Sequence, residues 1–237
     1  TGAGVTTAAY ADLTLPPGYL PYDIKSFGTD LAIACSANQS NTGNEPIVAR
    51  GAVFLWDTVS DNFYRQIDIP DSIVSALAIK NGDLFIFSGH RNNGVNVRKY
   101  LGGNSTQLIT SLGKGWSPPR ASAVAVQGNR IAFGANRVAD SAIDGAYVMT
   151  IGYISAELPS VALNCTQQVS AQGDDYPEVT NVNYFYSSAT ASLHPMVSWR
   201  SDGSGAGAKN GIDLWNNGGV ATVSSIAKSR VFDVGSK

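Results

Sequence analysis

An all-β chain built from a repeated four-stranded antiparallel meander is the fold this sequence predicts, and three observations carry the prediction. Short apolar runs alternate with polar residues and are punctuated by Gly with Asn or Asp, which tolerate the positive φ of tight hairpins. The same order of runs and turns recurs four times along the 237 residues. No window carries a 3.6-residue apolar period, so helix content is expected to be low.

The first two strands of each copy form a hairpin. "YDIKSFGTDLAIACS" (22–36) turns at Gly28-Thr29-Asp30, and "VSALAIKNGDLFIFSG" (74–89) turns at Asn81-Gly82-Asp83. "ASAVAVQGNRIAFGA" (121–135) turns at Gln127-Gly128-Asn129, and "VNYFYSSATASLHPMVSWRS" (182–201) is a looser fourth copy. A third strand follows each hairpin and opens with Gly: "GAVFLWD" (51–57), "GVNVRKY" (94–100), "GAYVMTIGY" (145–153) and "GIDLWNN" (211–217). After a further turn comes a fourth strand: "YRQIDI", "TQLITSL", "PSVALNC" and "VATVSSI". We call the strands of each copy a, b, c and d.

A four-stranded unit repeating at this spacing reads as the blade of a β-propeller, because packed blades bury the faces that one blade leaves open. The blades are expected at about 22–70, 74–112, 121–169 and 180–227, within a single domain spanning 1–237. A β-sandwich is the alternative, but it gives no reason for four copies of one order. Leu13 to Leu15 resembles a d strand of a preceding blade, and 231–234 begins another strand. These ends are expected to close a small ring or to mark an arc of a larger one. With no initiating Met and no signal peptide, the chain is expected to be processed or part of something longer.

Composition narrows the function. Formal charge is −2 and only 14% of residues are charged, so no basic stripe is present to release counterions from a nucleic acid. Apolar runs are too short for a membrane-spanning helix. Cys35 and Cys165 stand in apolar strand contexts and read as buried small hydrophobes, although spacing leaves a disulfide open. No grouping of His and Cys has metal-ligand spacing, and no cofactor motif is present.

Connections in an up-and-down meander segregate by length. The a–b and c–d turns are short, whereas the b–c and d–a connections include 36–50, 89–93, 135–144, 201–210, 113–120 and 170–178. Long connections on a rigid scaffold are where binding resides, so this loop-rich face is the expected interaction surface. Its candidate contact residues are His90, Arg91, Trp116, Arg137, Asp174 and Asp175. Trp116 is expected to be a surface aromatic. Trp56 and Trp215 occupy one place in strand c of two copies and read as packing residues. No carboxylate pair, G-x-S-x-G or P-loop supplies a catalytic site, so an enzyme is not expected.

"GYLPYDIKSFGTDLAIA…GAVFLWDTVSDNFYRQIDIPDSIVSALAIKNGDLFIFSG" resembles the propeller repeats of virion and tail-associated proteins of tailed bacteriophages. "VFDVGSK" is similar to the segment leading out of such propellers into a following β domain. The resemblance spans roughly 13–237 and rests on degenerate patterns. It implies a non-enzymatic structural or adhesion role in a virion or other extracellular particle, within an oligomeric assembly, with virion or surface proteins or glycans as partners. The rival reading is a secreted carbohydrate-binding or carbohydrate-active propeller.

Overall fold

Fifteen strands in four antiparallel sheets make up the computed structural model, which describes residues 13–38, 50–90, 94–113, 116–134, 145–153, 159–167, 178–188, 191–201 and 209–214. Sheet 1 comprises β1 (Tyr19–Phe27), β2 (Asp30–Ala37), β3 (Ala52–Trp56) and β4 (Arg65–Asp68). Sheet 2 comprises β5 (Ile73–Lys80), β6 (Asp83–Gly89), β7 (Val95–Gly102) and β8 (Ser105–Leu112). In sheet 3, β9 (Val124–Gln127), β10 (Arg130–Gly134), β11 (Ala146–Tyr153) and β12 (Pro159–Gln167) follow one 3-10 turn, Ala121–Ala123. Sheet 4 holds β13 (Glu178–Ser187), β14 (Ser192–Ser201) and β15 (Lys209–Leu214). Every sheet is a meander in chain order, as the repeat predicts. The expected fourth strand of the last copy, and the segments 215–219 and 231–234, lie outside the described residues.

The hairpins form where the turn residues place them. Asn81 and Gly82 both have positive φ (52° and 84°), the signature of a type I′ turn. At Gly28-Thr29 and Gly128-Asn129 only the glycine does (63° and 56°), which fits type II′. One c–d connection departs from expectation. In sheet 1 it runs through residues 57–64 and is organised by Asp57, whose carboxylate accepts the N–H groups of Val59 (3.0 Å) and Ser60 (2.8 Å).

The chain divides into two compact units, Thr1–Ala121 and Ser122–Lys237. In the first, sheets 1 and 2 pack face to face. Ala32, Ala34, Val53, Leu55, Ile67 and Ile69 meet Val74, Leu77, Leu84 and Ile86, nearly all fully buried. Each large aliphatic side chain this layer removes from water contributes about 1.5–3 kcal/mol. The opposite face of sheet 1 carries Ile33, Cys35, Ala52 and Phe54, covered by Leu13, Leu15, Tyr19, Trp56 and Phe63.

Leu13 to Leu15 was expected as a strand, but residues 13–16 join no ladder. Their alternation serves packing instead, since Leu13 and Leu15 lie against that outer face. Trp56, expected to pack between blades, is partly buried in this same cluster on the outer face of sheet 1 and takes no part in the layer between sheets 1 and 2. Cys35 is a free, fully buried thiol, and burial pushes its pKa up to about 12.

In the second unit, Ala123 of the 3-10 turn and Ala132, Ala146 and Val148 of sheet 3 meet Val179, Val182, Val197 and Trp199 of sheet 4. The backbone of Cys165 pairs with Val148, and Trp215 lies outside the described residues.

A β-bulge recurs near the start of strand a. The register shifts between Pro21 and Asp23, between Val74 and Ala76, and between Val179 and Asn181. An extra residue there sharpens the local twist and re-aims the residues beside it. Val74 points into a notch lined by Gly51, and Val179 into one lined by Gly134. A Cβ on Gly51 would stand 2.6 Å from Val74 Cγ2, and one on Gly134 would stand 2.2 Å from Val179 Cγ1. This close approach explains the glycine that opens strand c of the first copy.

Edge donors are also satisfied between sheets 1 and 2. The Leu77 N–H on β5 donates to Asp23 Oδ2 on β1 (2.8 Å). Ser36 Oγ accepts from Val74 N–H (3.0 Å) and donates to its carbonyl (3.2 Å). Strand edges that would otherwise expose backbone donors are thereby closed off.

Candidate functional site

The b–c and d–a ends of unit one are built around the short segment Ile69-Pro70-Asp71-Ser72, which joins β4 to β5. Its backbone is pinned to sheet 1: Gly51 N–H donates to Asp71 C=O (2.8 Å), Ala37 N–H donates to Ser72 C=O (2.8 Å), and Ile69 N–H donates to Gly51 C=O (2.9 Å). The next d–a segment repeats the device, with Gly94 N–H donating to Trp116 C=O (3.0 Å). Each time, the glycine before strand c offers its N–H to the returning chain. A Cβ on Gly94 would meet Leu112 O at 2.6 Å, and its φ of 117° further favours glycine.

The Asp71 side chain is the hub of this end. It is buried and points toward sheet 2, where Ser88 Oγ donates to Oδ2 (2.7 Å) and Asn96 Nδ2 donates to Oδ1 (2.9 Å). Arg98 Nε lies 3.6 Å from Oδ2 and makes no hydrogen bond. His90, just beyond β6, places Nε2 3.8 Å from Oδ1, while its Nδ1 is 2.9 Å from Ser72 Oγ. Opposite charge and two neutral donors compensate the desolvated carboxylate.

Ser72, His90 and Asp71 are the residue types of a nucleophile triad, and hydrogen-bond geometry decides what they do. Asp71 stands beyond hydrogen-bond reach of the imidazole and gives both oxygens to Ser88 and Asn96. The carboxylate therefore orders strands b and c and the d–a segment, rather than orienting a general base.

Among the expected contact residues, His90 is on the loop-rich end and its side chain is half exposed. Trp116 differs from expectation: it is buried, at 9% exposure, because the carbonyl bond to Gly94 folds its segment back onto the sheet. Arg91, Arg137, Asp174 and Asp175 lie outside the described residues. Among the described residues no group of three or more His, Cys, Asp or Glu side chains could hold a metal ion, and no helix is long and apolar enough to cross a membrane.

Unit two carries a buried carboxylate at the corresponding end. Glu178, 1% exposed, starts β13 directly opposite Arg200 on β14 and accepts from its Nε at 2.7 Å. Ser122 Oγ donates to Thr180 C=O at the bulge (2.6 Å).

Sequence reasoning missed both carboxylates. The available signal was a polar residue breaking an apolar strand: Ser88 after "LFIF", and Asn96 and Arg98 alternating with Val95 and Val97. Neither the family models nor the curated proteins compared with the chain match it.

Proposed function

We propose that the chain is a non-enzymatic β-propeller module, each meander serving as a blade, that forms a structural or adhesion part of a virion or other extracellular assembly. It docks protein or glycan through its loop-rich ends. Four consecutive meanders in one strand order support the propeller reading, while the face-to-face sheet packing within each unit is common to propeller and sandwich. The observation that carries the docking side is the pinned backbone at Gly51–Asp71, Ala37–Ser72 and Gly94–Trp116. It turns the base of the long connections into a fixed ledge, so a partner meets groups whose ordering has already been compensated.

Two measurements test this reading. Oligosaccharides incubated with the full chain should be recovered intact; catalytic turnover would reject the non-enzymatic role in favour of a carbohydrate-active propeller. Hydrogen exchange should then be followed with each protein encoded beside the chain. Protection at 69–72, 90–94 and 113–120 is expected, and protection restricted to 28–29, 81–82 and 103–104 would remove the docking side.

A further inference from the structure

We propose a second binding site at the opposite, tight-turn end of sheet 1, where the 57–64 connection presents Tyr64 as a stacking platform for a neutral pyranose of a glycan. The connection is longer than the repeat needs, since the same link in sheet 2 is the pair Gly103-Asn104. It is also held rigidly. Asp57 gathers Val59 N–H, Ser60 N–H and Ser60 Oγ (2.6 Å), and these bonds hold its carboxyl below the usual range, that of the Ser60 hydroxyl most of all. Trp56 Nε1 donates to Ser60 C=O (2.6 Å), and Tyr64 N–H donates to Leu55 C=O (3.1 Å). Phe63 roots the connection by packing edge-on against the buried Phe54 ring, 4.6 Å between centroids.

This rigid connection leaves two large side chains open to solvent. Tyr64 is 50% exposed and Val59 78%. The Tyr64 ring is fixed: its hydroxyl donates to Asp30 Oδ2 (2.5 Å), and the Arg65 guanidinium stands over one face of the ring, 5.9 Å from its centroid, so a sugar would stack on the other. Arg65 is itself directed by Tyr100, whose hydroxyl lies 3.5 Å from Nη1. Thr58 adopts φ 64°, costly for a β-branched residue and a kind of strain that collects at functional sites.

A fixed, half-exposed aromatic ring with a carboxylate at its hydroxyl, a guanidinium over one face, and the exposed Asp61 and Asn62 earlier in the same connection suits a sugar. The ring meets the C–H face, and the polar rim meets the hydroxyls. The single ring is too small an apolar area for a stable protein interface, which buries some 800 Å² on each partner.

Saturation-transfer NMR of the full chain with maltohexaose, cellohexaose, chitohexaose and a galactan hexamer tests the site. At least one should give transfer, with shift changes at Tyr64 and Asp30. Tyr64→Ala should weaken that binding at least tenfold, while Tyr64→Phe, which keeps the ring, should stay within about threefold. Silence across the panel, or shift changes elsewhere in the wild-type chain, would overturn the proposal whether or not the alanine variant folds. That failure would leave the loop-rich reading standing, since it concerns the other end of the strands.

Discussion

Sheets 1 and 2 and sheets 3 and 4 solve one packing problem with different polar parts. In both pairs a valine beside the strand-a bulge, Val74 or Val179, enters a glycine notch on the neighbouring sheet. Around that shared knob the fixings diverge. Unit one uses Ser36 on Val74, Asp23 on Leu77 and the buried Asp71 network. Unit two uses Ser122 on Thr180 and the Glu178–Arg200 pair. Shape complementarity is thus the constant of the repeat, and hydrogen bonding is fitted locally, because burial is non-directional whereas each donor needs its own acceptor.

The knob should be where the two pairs break hardest. Gly134→Ala is expected to cost about 3 kcal/mol and Gly51→Ala about 2 kcal/mol in denaturant unfolding, by overpacking. Val74→Ala should partly rescue Gly51→Ala, since the clash is with a γ-methyl. Val179→Ala should not rescue Gly134→Ala, because Val179 Cβ alone stands 2.4 Å from the added carbon. Equal rescue in both units would show that the two notches are equivalent after all.

The carboxylates should separate the units next. Asp71→Ala strands the hydrogen bonds of Ser88 and Asn96 and leaves Arg98, only 14% exposed, without its counter-charge, for a loss of about 2–3 kcal/mol. Glu178→Gln should cost nearer 1 kcal/mol, since the Arg200 side chain is 43% exposed and can turn to water. Thermal unfolding of the two variants, compared at one pH, reads the difference.

A smaller effect lies at alkaline pH. The Cys35 pKa is raised to about 12, so the folded state favours the neutral thiol. Stability linked to it is complete below the ordinary thiol pKa of about 8.5 and is lost as pH climbs through about 12. In a Cys165→Ser background, Cys35 should resist disulfide-exchange reagents at pH 8 and react on unfolding; rapid native labelling would contradict its burial. The smallest change is expected at Thr58→Gly, which relieves a left-handed residue and should stabilise by up to about 1 kcal/mol.

Much of the sheet framework is legible from local residues. Asn81-Gly82 and Gly128-Asn129 declare their hairpins because φ preference is a property of the dipeptide, and the short apolar run "LFIF" or the alternation in "VNV" declares a strand. Leu13 and Leu15 show the limit, since a period of two serves packing as well as pairing. Trp116 shows another: its exposure depends on a carbonyl bond to a glycine twenty-two residues earlier. The Asp71 cluster was hidden for the same reason, its members being spread from 71 to 98 and meeting only after the d–a segment returns to strands b and c.

By itself the sequence determined what short-range chemistry can determine: an all-β chain, the order of its strands, the tight turns, and the repeat that divides them into meanders. The tertiary structure alone decided which faces meet, which glycines are notches, and which carboxylates are buried with partners. Turn preference and strand alternation act over a few residues, whereas burial and charge pairing depend on segments that only the folded chain brings together.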